Sequence, residues 1–101
     1  MSNMKAKAII NRRVTVAENA FAELAVWALD GSVPPCGHPY KYRLAFVVDG
    51  MCVLRYDNER GKGDHRHIGA AEAVYAFEDV DRLVADFFND VKEWLSEHAN
   101  D

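Results

Sequence analysis

Between residues 79 and 97, Val80, Leu83, Val84, Phe87, Phe88, Val91, Trp94 and Leu95 recur at three- and four-residue intervals, the spacing of one face of an α-helix. The pattern predicts a helix over 79–97. Asp79 is its expected N-cap, and acids in the first turn suit the positive end of the helix dipole. The aromatic stripe is expected to cover a sheet, with Asp86, Asp90, Glu93 and Glu97 on the solvated side. Earlier in the chain the period changes to two. Tyr40, Tyr42, Leu44, Phe46 and Val48 alternate with Lys41, Arg43, Ala45 and Val47, which is the rhythm of a strand. Asp49-Gly50 follows, a pair that suits a two-residue hairpin turn, and Met51 to Tyr56 supplies the return strand. Val74 to Phe77 reads as one more short strand before the helix.

The first third is less regular. Lys5 to Val16 reads as a strand, with Ala6, Ala8 and Ile10 alternating against Lys5, Lys7 and Ile9. Residues 16–29 are alanine-rich, and Phe21, Leu24, Ala25, Ala28 and Leu29 are spaced as on a helix, so local propensity favours helix there. Residues 30–39, with three prolines and two glycines, form a loop.

Composition adds bounds to this picture. The 101 residues are 50% hydrophobic and 28% charged, ordinary for one small globular domain, expected over 1–101 with 1–4 and 98–101 as disordered tails. No stretch approaches the about 18–20 apolar residues that cross a bilayer, and the N-terminal charges lack an apolar segment behind them, so the expectation is a soluble, cytoplasmic protein with no membrane partner. Cys36 and Cys52 read as free thiols, Cys52 buried in an apolar run and Cys36 in an exposed loop. The formal net charge is −4. It is unevenly spread: Glu78, Asp79, Asp81, Asp86, Asp90, Glu93, Glu97 and Asp101 face only Arg82 and Lys92 at the C-terminal end, whereas Lys5, Lys7, Arg12 and Arg13 cluster near the start and Arg55, Arg60, Lys62 and Arg66 in the middle. The acidic average excludes a general nucleic-acid coat protein but not a local basic site.

Candidate chemistry concentrates in residues 55–67, read here as a polar, glycine-containing loop displayed on a sheet. Gly61-Lys62 is followed by glycine instead of Ser or Thr, so it is no phosphate-binding P-loop, and Lys62 and Ile68 stand where an EF-hand starting at Asp57 needs glycine and an acid. What remains is imidazole chemistry. On an extended backbone His65 and His67 point to one side, about 7 Å apart. Two such rings can flank a phosphodiester, one removing a proton from a ribose 2′-hydroxyl and the other protonating the leaving oxygen. Arg55, Lys62 or Arg66 can meet the charge of the transition state, Asp57 or Asp64 can orient a ring, and the amides near Gly61 and Gly63 can form an anion nest. No cofactor is required. A rival use of the same histidines, with Cys36 and His38, is a four-ligand zinc site, although the C-x-H and H-x-H spacings match no standard knuckle. His98 carries no expected role. A non-catalytic module that binds RNA or phosphate is the alternative from another class, and a protein without retained activity is a third.

The run Arg55-Tyr56-Asp57-Asn58, then Gly61-Lys62-Gly63-Asp64-His65-Arg66-His67, with Tyr75-x-Phe77 and Asp86-Phe87 behind it and Tyr40 to Leu44 before it, resembles the TumE-type toxins. The resemblance covers about residues 4–97. It implies a sheet-plus-helix domain, a toxin–antitoxin pair with an antitoxin that usually carries a helix-turn-helix domain, and toxicity directed at RNA or translation. It singles out Arg55, Tyr56, Asp57, Asn58, Lys62, Asp64, His65, Arg66 and His67, of which His65, His67, Asp64 and Asp57 are the candidate catalytic groups and Arg55, Lys62, Arg66, Tyr56 and Asn58 the candidate substrate and phosphate ligands. It also implies two strands within residues 4–29, joined near Ala17–Asn19, against the local helix preference. The expectation taken forward is therefore α+β: an antiparallel sheet of about five strands with one long C-terminal amphipathic helix on one face.

Overall fold

A computed structural model describes residues 6–32 and 34–99. Six strands, β1 (Ala6–Ala17), β2 (Ala20–Leu29), β3 (Tyr40–Val48), β4 (Met51–Glu59), β5 (Gly63–Ile68) and β6 (Ala71–Val74), precede the helix α1 (Val80–Glu97). The strands form one sheet in the order β1-β2-β3-β4-β5-β6, every neighbouring pair antiparallel. The α+β expectation holds, with six strands where about five were expected.

The additional strand lies in residues 55–67. They are not a loop but the arms of a hairpin, β4 returning as β5 through a turn at Arg60–Lys62, with Arg55 opposite His67 and Asp57 opposite His65. An apolar alternation is missing because both faces of this hairpin carry polar groups. Residues 20–29 are strand, as the family resemblance implies and local propensity does not. Ala20, Ala22, Leu24 and Val26 are buried with period two between β1 and β3, and pairing on both edges outweighs the alanine preference for helix. Before the helix, β6 ends at Val74, so the expected strand over Val74–Phe77 is displaced toward the N-terminus. Asp49 (φ 51°) and Gly50 (φ 78°) take the left-handed conformations required by the predicted β3–β4 turn.

The helix lies across one face of the sheet. Leu83, Phe87 and Val91 are its buried residues, meeting Leu44, Phe46, Leu54 and Tyr56 in a continuous core. Trp94 stands edge-on to Phe46, with ring centroids 5.7 Å apart. Asp79 is the N-cap, its Oδ1 accepting from Arg82 N at 2.7 Å. At the other end His98 is the C-cap, donating its backbone N–H to Trp94 O and stacking on the Trp94 ring with centroids 3.9 Å apart, so the position has a structural role that its place in the sequence did not suggest. Of the expected tails at 1–4 and 98–101, residues 1–4 and 100–101 lie outside the described residues, and His98 is ordered as the cap of α1. The cysteines reverse their expected burial. Cys52 is exposed because the irregular β3–β4 pairing between Phe46 and Val47 brings it out, and Cys36 is buried because its loop folds back onto Asn58.

Candidate functional site

The pleat divides the motif between two faces. Tyr56, Asn58, Asp64 and Arg66 point to the side that α1 covers, where Tyr56 and Asn58 are fully buried. Arg55, Asp57, His65 and His67 point to the opposite side, which no helix covers, together with Lys41 and Arg43 of β3. The nine candidate residues thus form two groups, with the sheet between them, and a turn. Lys62 stands exposed in that turn. Its amide donates to Glu59 O and that of Gly61 to Pro34 O at 2.8 Å, so these donors are already spent and form no anion nest.

On the open face, His65 and His67 share one side, as their spacing predicts. The His65 ring donates Nδ1–H to Gly63 O at 3.2 Å, and its Nε2 stands 3.8 Å from Glu72 Oε1. His67 is set differently. Arg55 Nη2 donates to its Nε2 at 3.1 Å, and Asp57 Oδ1 stands 3.6 Å from the same nitrogen. Arg55 Nε lies 3.1 Å from Asp57 Oδ2, an ion-pair distance, but the N–H is not aimed at the oxygen. It is the single buried side-chain donor without a hydrogen-bond acceptor among the described residues. Side-chain exposures of 18% for His65 and 25% for His67 leave both rings accessible while their partners limit their rotation. The cluster can take up a proton at one ring, release one from the other and pair with an anion at Arg55.

On the covered face the polar groups form a closed network. Asn58 Oδ1 accepts from Tyr42 N at 2.9 Å, and its Nδ2 donates to Tyr40 O at 2.7 Å. Tyr42 and Tyr75 donate their hydroxyls to Asp64 and Asp86, each at 2.7 Å, and Tyr56 donates to Asp90, which also faces Arg66 Nη1 at 3.5 Å. Asp90, expected in water, has a side chain only 12% exposed. The buried tyrosines are what make it worthwhile to turn helix acids inward. Burial pushes Asp64 up, but hydrogen bonds from Cys36, Tyr42 and His38 outweigh it and hold its carboxyl below the usual range. Burial, reinforced by Asp64, pushes the Cys36 thiol up to about 11.

Cys36, His38 and Asp64 bring their ligand atoms within 4.8 Å of one another, but the four-ligand zinc set does not assemble, because His65 and His67 lie across the sheet. The imidazole of His38 is also fully engaged. Tyr40 N donates to its Nδ1 at 3.2 Å, so the proton sits on Nε2 and is donated to Asp64 Oδ2 at 2.8 Å. Its ring stacks on Phe77, with centroids 3.8 Å apart. The cluster fastens the segment that carries Cys36 and His38 onto Asn58 and Asp64. Sequence spacing missed this role for His38 because Asp64 is 26 residues away.

The covered network carries a pH prediction. Burial first, and then a facing carboxylate, raises Tyr42, Tyr56 and Tyr75 above their ordinary value of 10.0. A raised folded-state value means that their stabilisation is complete below pH 10 and is lost as pH climbs beyond it. Thermal melts should therefore be level from neutrality to about pH 9 and fall steeply above pH 10, less so in Tyr75→Phe. Tyrosinate absorbance rising at the ordinary value in the still-folded protein would contradict this.

The family model described as Toxin TumE matches residues 3–95. No match was found among curated proteins or solved structures. The match spans all six strands and nearly all of the helix, including both faces of the hairpin that carries the motif. The chain belongs to the TumE toxin family, as the toxin component of a toxin–antitoxin system whose partner is an antitoxin.

Proposed function

We propose that the toxin is a small, metal-independent endoribonuclease whose site is the open sheet face. The observation that supports it is that His65 and His67 share that face with Arg55 and Asp57, each ring held by a different partner. His67, whose Nε2 accepts from Arg55, takes the proton from a ribose 2′-hydroxyl once Arg55 passes to a phosphoryl oxygen. The 2′-oxygen bonds to phosphorus, the bond from phosphorus to the 5′-oxygen breaks, and His65 gives its proton to that leaving oxygen. The products are a 2′,3′-cyclic phosphate and a 5′-hydroxyl. Glu72 Oε1 stands 3.8 Å from His65 Nε2, and Asp57 receives the charge that His67 acquires. Lys62, at the hairpin tip, adds an exposed cation for the flanking backbone. Tyr56, Asn58, Asp64 and Arg66 support the face from beneath in this scheme. The site would work in the cytoplasm, restrained by an antitoxin with a helix-turn-helix domain.

Incubating the purified protein with RNA in the presence of a chelator tests this reading. Fragments ending in cyclic phosphate are expected. A salt-sensitive complex without cleavage would instead establish a binding module that inhibits by occupancy.

A further inference from the structure

A second feature of the open face bears on what the site binds. Trp27 of β2 is half-buried on this side of the sheet, pairing with Lys41 on β3 and Ala8 on β1. The other tryptophan, Trp94, is accounted for by Phe46 and His98. Trp27 has no ring partner among the described residues, and its neighbour on the same face of the strand is the small Ala25. It borders a groove of about 430 Å³ that it shares with Lys41, Arg43, Arg55, Asp57 and Glu59. Of the groove's two carboxylates, Asp57 is already paired with Arg55, whereas the exposed Arg43 enters no ion pair among the described residues. An indole with an uncovered face beside a row of cations has the makeup of a single-strand binding surface, where bases stack on the ring and cations follow the backbone.

We infer that Trp27 is the stacking platform for a nucleobase of single-stranded RNA, with Lys41 and Arg43 leading its phosphates toward Arg55 and the two histidines; this rests on the ribonuclease reading above. Trp27 lies three strands from His65 and two residues along, roughly 14 Å across and 7 Å down the sheet. A few nucleotides of extended strand cover that span. The stacked base is therefore not the one beside the broken bond, and the substrate must be longer than a dinucleotide to gain from it. A duplex, whose bases already stack on each other, cannot use the platform.

The test uses a short single-stranded oligodeoxynucleotide, which lacks the attacking hydroxyl and stays intact. Titrated into the full chain, it should quench the part of the tryptophan emission that is absent from Trp27→Phe. Annealing the probe to its complement should abolish the quench. Trp27→Ala should bind the probe about 5- to 150-fold more weakly, with Trp27→Phe recovering most of that loss and circular dichroism unchanged in both. Equal affinity of Trp27→Ala and the parent overturns the platform, even if the parent cleaves RNA. Loss of affinity in Trp27→Ala alongside a parent that never cleaves RNA keeps the platform and removes the hydrolytic reading. A parent that binds no single strand overturns the platform outright.

Discussion

Alanine at either His65 or His67 is expected to release the growth arrest caused by the toxin and to slow RNA cleavage by about 10²- to 10⁴-fold, the usual contribution of a positioned proton-transfer group. The fold should be retained. Both rings lie on the open side of the sheet, and neither fills the core around Phe46, Leu83 and Phe87. Melting curves of the variants should therefore stay near that of the parent, within the small range typical of substitutions away from buried networks. The two losses should differ in form. In the parent, cleavage should follow a bell-shaped pH profile, from one ring that must be neutral and one that must be protonated. His67→Ala should remove the rise on the acid side, and His65→Ala the fall on the alkaline side. Arg55→Ala should slow cleavage as well, since Arg55 both binds the anion and orients His67 through the 3.1 Å contact. A double alanine variant that still arrests growth and cuts RNA at the parental rate would remove the imidazole mechanism.

The largest effect on stability is expected at Asn58. Its side chain is fully buried and closes the start of the β3–β4 pair, taking the Tyr42 N–H and giving hydrogen bonds to Tyr40 O and Cys36 Sγ. Asn58→Ala leaves a buried backbone donor and acceptor unsatisfied and opens a small cavity. The two costs together come to about 3 kcal/mol. In a chain of this size that corresponds to a fall in melting temperature of roughly 10–25 °C. Asn58→Asp nearly keeps the shape but turns an oxygen toward Tyr40 O, so it should be similarly destabilised at neutral pH and partly recover on acidification. Thermal unfolding of the variants measures this. A midpoint for Asn58→Ala within a degree of the parent would show that the side chain is no clamp.

These two predictions concern residues only seven and nine positions apart in one short motif, yet they read out different properties. Spacing alone does not separate them. The sequence pattern placed His65 and His67 on one side because alternation along an extended backbone is a local property. It also located α1 and the Asp49-Gly50 turn, where periodicity and turn chemistry agree. It did not reveal that residues 55–67 are a hairpin, because its alternation is between two polar faces and leaves no hydrophobic signal. Nor did it place Trp27, which falls in an alanine-rich segment whose local preference is for helix and whose strand state comes from pairing with β1 and β3.

What the chain determined by itself is a set of elements and, within each strand, which side chains travel together. Which group is covered is a different matter, decided by where an amphipathic helix packs after Glu78. The apolar stripe of α1 can be buried only against Leu44, Phe46, Leu54 and Tyr56. That choice takes Asn58, Asp64 and Arg66 beneath the helix or the folded-back loop and leaves Arg55, Asp57, His65 and His67 facing outward. Burial of apolar area is a sum over distant segments, so no local stretch of sequence contains it, and only the folded sheet separates the residues that hold this protein together from those left free to meet a substrate.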